Sequence, residues 1–505
     1  MSESGSPSGG VAAPEQIRYG STRGWWVLAA TIGGSSIAFL DSTVVNVALP
    51  VLGTELGANV SGLQWVLNGY MLALASLILL AGSLGDRYGR RRVFMIGVAW
   101  FAVASVLCAV AQDVGQLVIA RVLQGIGGAL LTPGSLALIQ ASFVADDRGK
   151  AIGAWSGIGA LAGALGPFLG GILIDGIGWR SVFLVNVPLS ILVVLIAVRH
   201  VPESRDPDSP DTLDVVGAVA GGVGLGGVTY ALIEAGNSGL STAVVAAALI
   251  GVVALVAFVL IERGSSHPML PLDIFASRQF TWANVVTFAV YGGMGAVFFL
   301  LVVQLQTVLG YTALQAGVAS LPVTVLLFVL SPRAGALAQR IGARLPMTVG
   351  PVVAGLGITL LSRVQEGASY LTGVFPAIAV FGVGLGIAVA PLTTAVLAAA
   401  EERHSGVASG VNNAVARSAQ LLAVAVLPVV VGLTGDAYND AEVFAQGFAD
   451  AMVISGAAVA SGGVLAFFVI DRTSTTDAEA QPRQEVGAHC DMCGPPLRQP
   501  ASARR

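Results

Sequence analysis

Asp41 is the residue of this chain with the clearest chemical capability. It interrupts the apolar run Ile37-Ala38-Phe39-Leu40-Asp41-Ser42-Thr43-Val44-Val45. A carboxylate so placed can take up and release a proton if desolvation and nearby positive charge balance. Arg121 is the matching cation, inside Val118-Ile119-Ala120-Arg121-Val122-Leu123. Two readings stand side by side. Asp41 and Arg121 meet at one cavity and couple protons to work, or Asp41 is static, paired with Arg121 or bonded to the Ser42 and Thr43 hydroxyls. Gln124 follows Arg121 at i+3 and shares its helical face. It holds Arg121, lines the cavity, or bonds to another helix. Gln304, Gln306, Asn412, Asn413 and Arg417 stand at or near later apolar runs, and Glu234 ends one. All are candidates to line a substrate cavity. The plainer roles are interhelical bonds for the glutamines, a solvated loop position for Glu234 and snorkelling for Arg417.

Two glycine motifs offer geometry instead of charge transfer. Gly82-Ser83-Leu84-Gly85-Asp86-Arg87-Tyr88-Gly89-Arg90-Arg91 sets one carboxylate among arginines, which suits a pairing loop. Gly166-Pro167-Phe168-Leu169-Gly170-Gly171 puts small residues on one helical stripe beside a missing amide donor. It reads as a close-packing surface with a kink.

The elements that must hold these residues follow from composition. The chain has 505 residues and a formal charge of -4. Charged residues are 11% of it, less than half the roughly 25% of a soluble domain. Hydrophobic residues are 55%, and mean hydropathy is +0.81. This excludes an ordinary soluble enzyme, a basic-faced nucleic-acid binder and a disordered scaffold. A bilayer core needs about 20 apolar residues per helix. Fourteen such stretches can be read, among them 25–48, 116–138, 410–433 and 450–470. Residues 1–22 are Ser/Gly-rich and unlike a cleavable signal, so the first helix is expected to stay in the membrane.

Of the 25 Lys and Arg, nearly all fall in loops of one side once the N-terminus is placed inside. Arg180 and Arg363 fall on the other side, and Arg121 and Arg417 lie within spans. The asymmetry predicts cytoplasmic N- and C-termini. If the first helix exits near Pro50, Asp41 lies about 13 Å below the outer end, and Arg121, about five residues into its helix, roughly 8 Å. Arg417 lies about 10 Å from the inner end if its helix begins near 410.

The loop at 82–91 returns as Gly335-Ala336-Leu337-Ala338-Gln339-Arg340-Ile341-Gly342-Ala343-Arg344, offset by 253 residues. Both copies fall on the inner face, so the repeat is parallel. The expected fold is an all-α membrane protein of two related six-helix bundles with two inserted helices. The boundaries are a tail at 1–22, a bundle at 23–200, linker helices at 201–265, a second bundle at 266–471 and a tail at 472–505.

These residues resemble the major facilitator superfamily, in its fourteen-helix drug:proton antiporter branch. The resemblance spans roughly residues 20–472. It rests on the loop at 82–92, Leu40-Asp41-Ser42-Thr43 through Pro50, and Arg121-Val122-Leu123-Gln124-Gly125. It rests also on Gly166-Pro167 through Gly171, on Trp179-Arg180 with Phe183, Asn186 and Pro188, and on Gly310-Tyr311 through Pro322. The resemblance implies that Gly82, Asp86, Arg87, Gly89, Arg90 and Arg91 form an inner-gate latch between the halves. It implies that Gly166, Pro167, Gly170 and Gly171 seal the halves against leak. There are departures. Ala162 stands where a Gly is usual, Gln339 stands where the first loop has Asp86, and the tenth helix lacks an acidic residue. The last argues against quaternary-ammonium specificity.

The expected function is proton-coupled export of hydrophobic, drug-like or antibiotic-like compounds by alternating access. Proton-coupled transport of one metabolite is the alternative. A non-transporting sensor is a third reading, and it calls for a sizeable soluble domain. The expected partners are the lipid bilayer, protons and a small lipophilic substrate, with no nucleic acid. A monomer in a bacterial cytoplasmic membrane is expected. No enzyme activity, metal or cofactor is expected, and no nucleotide-binding Gly-rich loop with a following Lys is present. Cys108, Cys490 and Cys493 cannot make a disulfide framework. His489-Cys490-Asp491-Met492-Cys493 offers three ligands, short of the usual four for zinc.

Overall fold

A computed structural model describes residues 17–206, 213–265, 268–399, 405–435, 437 and 440–470. The cysteine pair of the tail, His267 and His404 lie outside the described residues. Fourteen described helices are long and apolar enough to cross a membrane. They are α1 (Thr22–Glu55), α2 (Val60–Tyr88), α3 (Arg90–Val110), α4 (Val114–Ser142), α5 (Ala145–Gly176), α6 (Arg180–His200) and α7 (Val215–Ser238). The chain continues with α8 (Thr242–Gly264), α9 (Arg278–Val308), α10 (Ala313–Ile341), α11 (Arg344–Leu361), α12 (Tyr370–Ala398), α13 (Ser405–Val430) and α14 (Ala441–Val469). Among the described residues no strand forms beyond one bridge, Ile17 to Phe143. That bridge lays the segment just before α1 against the end of α4. Both therefore lie on one side, termed the terminal side.

The helices outrun the apolar stretches because polar caps set their starts. Ser21, Asn59, Asp113, Ser241, Ser277 and Thr312 each accept a bond from an amide of the following first turn. Thr312 and Gln315 complete a reciprocal capping box. Pro50 sits inside α1, and the helix continues past it to Glu55. In a membrane bundle, neighbouring groups absorb the lost amide bond.

Gly89 ends α2 at φ +112 and Gly342 ends α10 at φ +86. The two are separated by the same offset as the loops that contain them. A side chain would strain either position. The repeat is thus a repeat of backbone conformation as well as of letters.

In the first half α4 packs on α2 and α3, and α1 packs on α5 and α6. In the second, α11 packs on α12 and α14, α10 on α12, and α9 on α13 and α14. The halves meet where α5 lies on α10 and α2 on α13. Helices α7 and α8 pack on each other, and α7 leans on both α2 and α13. Helix α8 turns Leu249, Ile250, Val253 and Val256 outward, as lipid contact requires.

Candidate functional site

Asp41 and Arg121 are both fully buried, in the middle of the first half. Arg121 Nη1 donates to Asp41 Oδ2 at 2.5 Å. The same nitrogen donates to Gln124 Oε1, also at 2.5 Å. Arg121 Nε donates to the Val66 carbonyl at 3.1 Å. Gln124 Nε2 donates to Asp41 Oδ1 at 2.8 Å and to Ser105 Oγ at 2.9 Å. Asn186 Nδ2 reaches Asp41 Oδ1 at 2.9 Å. The Tyr70 and Phe183 rings flank the guanidinium, their centroids 4.4 and 5.9 Å from its carbon. Five helices, α1, α2, α3, α4 and α6, converge on one ion pair. One buried atom of the cluster, Asn186 Oδ1, has no hydrogen-bond partner.

The glycines of α4 make the convergence possible. A Cβ at Gly125 would lie 2.8 Å from that of Ala73, and one at Gly127 would meet the Phe101 backbone at 2.8 Å. A side chain there would push α4 off α2 and α3 and pull Arg121 from its place.

Two sequence expectations need correction. The first helix does not end near Pro50, so Asp41 lies fourteen residues, or about 21 Å, from the end of α1. Arg121 is seven residues into α4, about 10 Å from its start. The Ser42 and Thr43 hydroxyls also take no part in holding Asp41. Ser42 donates to the Phe39 carbonyl, and Thr43 reaches the Phe39, Leu40 and Gly163 carbonyls.

The other cavity candidates separate. Gln304 is buried in a π-helical turn and donates to the Val364 carbonyl at 2.8 Å, inside the second half. Asn412 donates to Asn284 at 3.1 Å and Thr287 at 2.9 Å, tying α13 to α9. Both act as interhelical ties. Glu234 is no solvated loop carboxylate. It is half-buried and accepts from Ser61 at 2.7 Å and Trp65 at 3.3 Å, pinning α7 to α2. Asn413 is exposed and bonds within α13, to Ser409. Arg417 is half-buried, and its bond to Gln420 is 3.3 Å long. Helix α13 begins at Ser405, so Arg417 is about 18 Å from the terminal-side end, deeper than the sequence spans suggest.

Gln306 does something different. It donates to the Val47 carbonyl of α1 at 3.0 Å and so crosses between the halves. Gln64 does the same from α2, reaching the Val424 carbonyl of α13 at 2.7 Å. Asp175, at the far end of α5, accepts from the Leu314 amide of α10 at 3.0 Å. All three lie toward the side away from the termini. The glycine stripe of α5 sits among them. Gly166 and Gly170 face Thr43 and Val44 of α1, and Gly171 faces the Leu314 backbone. Gly317 of α10 faces the Pro167 carbonyl in return. No side chain fits between these backbones, so α1, α5 and α10 close that side.

The comparisons with known proteins can be set beside this geometry. The family model described as Major Facilitator Superfamily matches residues 31–424. The chain belongs to the major facilitator superfamily. It is 36% identical to "Multidrug resistance protein Stp" of Mycobacterium tuberculosis over 80% of this chain and 75% of that one. It is 34% identical to "Methylenomycin A resistance protein" of Bacillus subtilis, over 91% and 97%. It is 32% identical to "Tetracenomycin C resistance and export protein" of Streptomyces glaucescens, over 86% and 80%. A crystal structure of a POT family transporter in complex with 5-aminolevulinic acid has the same fold, with a TM-score of 0.67 at 13% identity. It covers 90% of this chain and 97% of that one. The protein is thus a multi-pass membrane transporter of the superfamily, with multidrug and antibiotic resistance proteins as relatives.

The loop at 82–91 is bonded within the first half. Asp86 pairs with Arg90 at 2.7 Å, one turn away. The Arg91 amide donates to Glu203 at 3.0 Å, and Arg91 Nη1 to the Val201 carbonyl at 3.0 Å. The Arg90 amide bonds the Ser204 carbonyl, and the Asp206 amide bonds that of Asp86. Gly89 is required where it stands because its φ of +112 would strain any side-chain-bearing residue. Arg87 lies over the Tyr88 ring. The bonds of Asp86, Arg90 and Arg91 to residues 201–206 join the loop to the segment after α6.

Sequence reasoning missed Ser105 and Tyr70, which carry no signal beyond being polar in an apolar run. Asn186 was legible only through its resemblance to a motif. Gln64 and Asp175 were not singled out, and both join the halves.

Proposed function

We propose that this transporter exports lipophilic, drug-like or antibiotic-like compounds in exchange for protons, by alternating access. The observation that carries the reading is the buried Asp41–Arg121 pair in a chain whose relatives are named for resistance and export. A buried ion pair is a poor way to gain stability. Its value here lies in a proton-dependent rearrangement. A proton arriving on Asp41 Oδ2 must displace the Arg121 guanidinium. The protonated carboxyl then needs an acceptor, and Asn186 Oδ1 is beside it without a partner. Arg121 keeps Gln124 and the Val66 carbonyl, so its charge remains bonded while the ion pair between α1 and α4 opens and the Gln124 Nε2 bond to Asp41 Oδ1 stays.

Helix α1 also carries the Val47 carbonyl bonded to Gln306 and the Thr43 and Val44 surface against α5. Loss of the ion pair on α1 therefore reaches the closed side directly. Closure of the terminal side would in turn re-form a latch at Asp86, Arg90 and Arg91. A ligand can shift such an equilibrium only by its differential affinity for the two states, and a proton on Asp41 has that difference.

The arginine-rich terminal side is assigned to the cytoplasm, in a bacterial cytoplasmic membrane. The transporter works as a monomer, with the proton gradient as its energy source and no cofactor. The membrane potential supplies about 2.3 kcal/mol per 100 mV per charge. A total near 150 mV per proton sustains an export ratio of order a few hundred.

The test is a drug-susceptibility panel on cells expressing the chain, with and without a protonophore. Resistance that collapses with the gradient supports the reading. Unchanged susceptibility across the panel, joined to proton-independent flux in vesicles, refutes it.

A further inference from the structure

Arg417 is a cation at midspan that no carboxylate among the described residues pairs with. It is twelve residues from Ser405 and thirteen from Val430, about 18 and 20 Å from the two ends of α13. An arginine side chain cannot snorkel that far. The direction in which it points is fixed by its neighbours on the same stripe. Seven residues before it, a Cβ at Gly410 would lie 2.9 Å from Leu79 of α2. Seven residues after it, the Val424 carbonyl accepts from Gln64 of α2. Residues at i−7 and i+7 share a helical face, so Arg417 faces α2, level with the stretch midway between Gln64 and Leu79. Tyr70 lies there, within electrostatic reach of Arg417, as does Tyr291 of α9. Arg417 thus occupies the interface between the halves.

No carboxylate pairs with it among the described residues. Asp41, the acidic group at comparable depth, is committed to Arg121, whose guanidinium lies over the Tyr70 ring. Arg417 bonds Gln420 one turn above, and Asn413 is exposed one turn below. The stripe Asn413, Arg417, Gln420 carries donors around one uncompensated positive charge. An ionisable group inside a membrane is costly, and its partner is the first question to ask.

We infer that the partner is the cargo, and that Arg417 binds the anionic group of a lipophilic organic acid. This rests on the export reading and names its substrate class. A planar guanidinium takes a carboxylate or sulfonate through two donors at once. An apolar interface covers the rest of the molecule. Outward movement of an anion with inward movement of a proton carries net charge, so the exchange responds to membrane potential as well as to pH.

The test uses purified full-length protein and three probes. Anilinonaphthalenesulfonate is permanently anionic, N-phenylnaphthylamine is its neutral counterpart, and tetraphenylphosphonium is a lipophilic cation. Wild type is expected to bind the sulfonate about tenfold or more tighter than the neutral probe. Arg417→Gln removes that preference and leaves neutral binding in place, which also shows that the variant is folded. Arg417→Lys keeps part of it, and Arg333→Gln, an exposed site elsewhere, keeps all of it. An unchanged preference in Arg417→Gln overturns the inference, and so does a wild-type preference for the cation. Proton-driven flux of the neutral probe without any sulfonate preference overturns the inference and leaves the export reading standing. Arg417-dependent sulfonate binding without proton-linked flux does the reverse.

Discussion

At the scale of single residues, the decisive arrangement is one carboxylate held by three side chains from two other helices. Removing one member of a buried pair leaves the other uncompensated, at a cost of about 3–5 kcal/mol. Asp41→Asn is therefore expected to lower the melting temperature and abolish flux driven by an imposed pH gradient. The double change Asp41→Asn with Arg121→Gln removes both charges. It is expected to recover much of the stability and none of the pH-driven flux. Recovery of both on restoring neutrality would make the pair purely structural. Asn186→Leu removes the spare acceptor and one donor together. It should slow proton-linked exchange while binding of unprotonated cargo, measured at high pH, stays within about twofold.

At the scale of elements, small residues decide how close the helices come. Gly317 has no room for a side chain against the Pro167 carbonyl. Gly317→Val must separate α10 from α5, with a cost of about 1–3 kcal/mol. The expected outcome is a proton leak in liposomes without added substrate, measured with an internal pH dye. A tight variant with normal exchange would remove the glycine contact from the seal. This scale also shows how much was legible beforehand. The fourteen spans, the repeat through Gly89 and Gly342, and the meeting of Asp41 with Arg121 could all be read from letters. Each rests on a strong local rule: apolar length, a positive-φ glycine, or the cost of a charge in lipid. Helix ends were not legible, because caps such as Ser21 and Asn59 lie outside the apolar runs. Partners were not legible either. Asn412 bonds α9, whereas Gln306 bonds α1 across the interface. Nothing along one helix says which neighbour its face will meet.

At the scale of the whole molecule, the proposed alternating access requires the bonds that join the halves to break in every cycle. Gln306 to Val47, Gln64 to Val424 and Asp175 to the Leu314 amide all lie toward the closed side. Cysteines at Asp175 and Leu314, in a chain whose three native cysteines are serine, are expected to cross-link. Exchange should stop on oxidation and return with reductant. Continued exchange in the cross-linked protein would mean that this side need not open.

The Asp41 network lies wholly within the first half, whereas Arg417 belongs to the second. With the roles proposed above, energy transduction and cargo reading are inherited on separate stretches of chain. Substitutions along α13 can alter what is carried without disturbing the five-helix knot around Asp41. A lineage built this way can answer a new toxin by changing a few letters in its last third while its engine stays untouched.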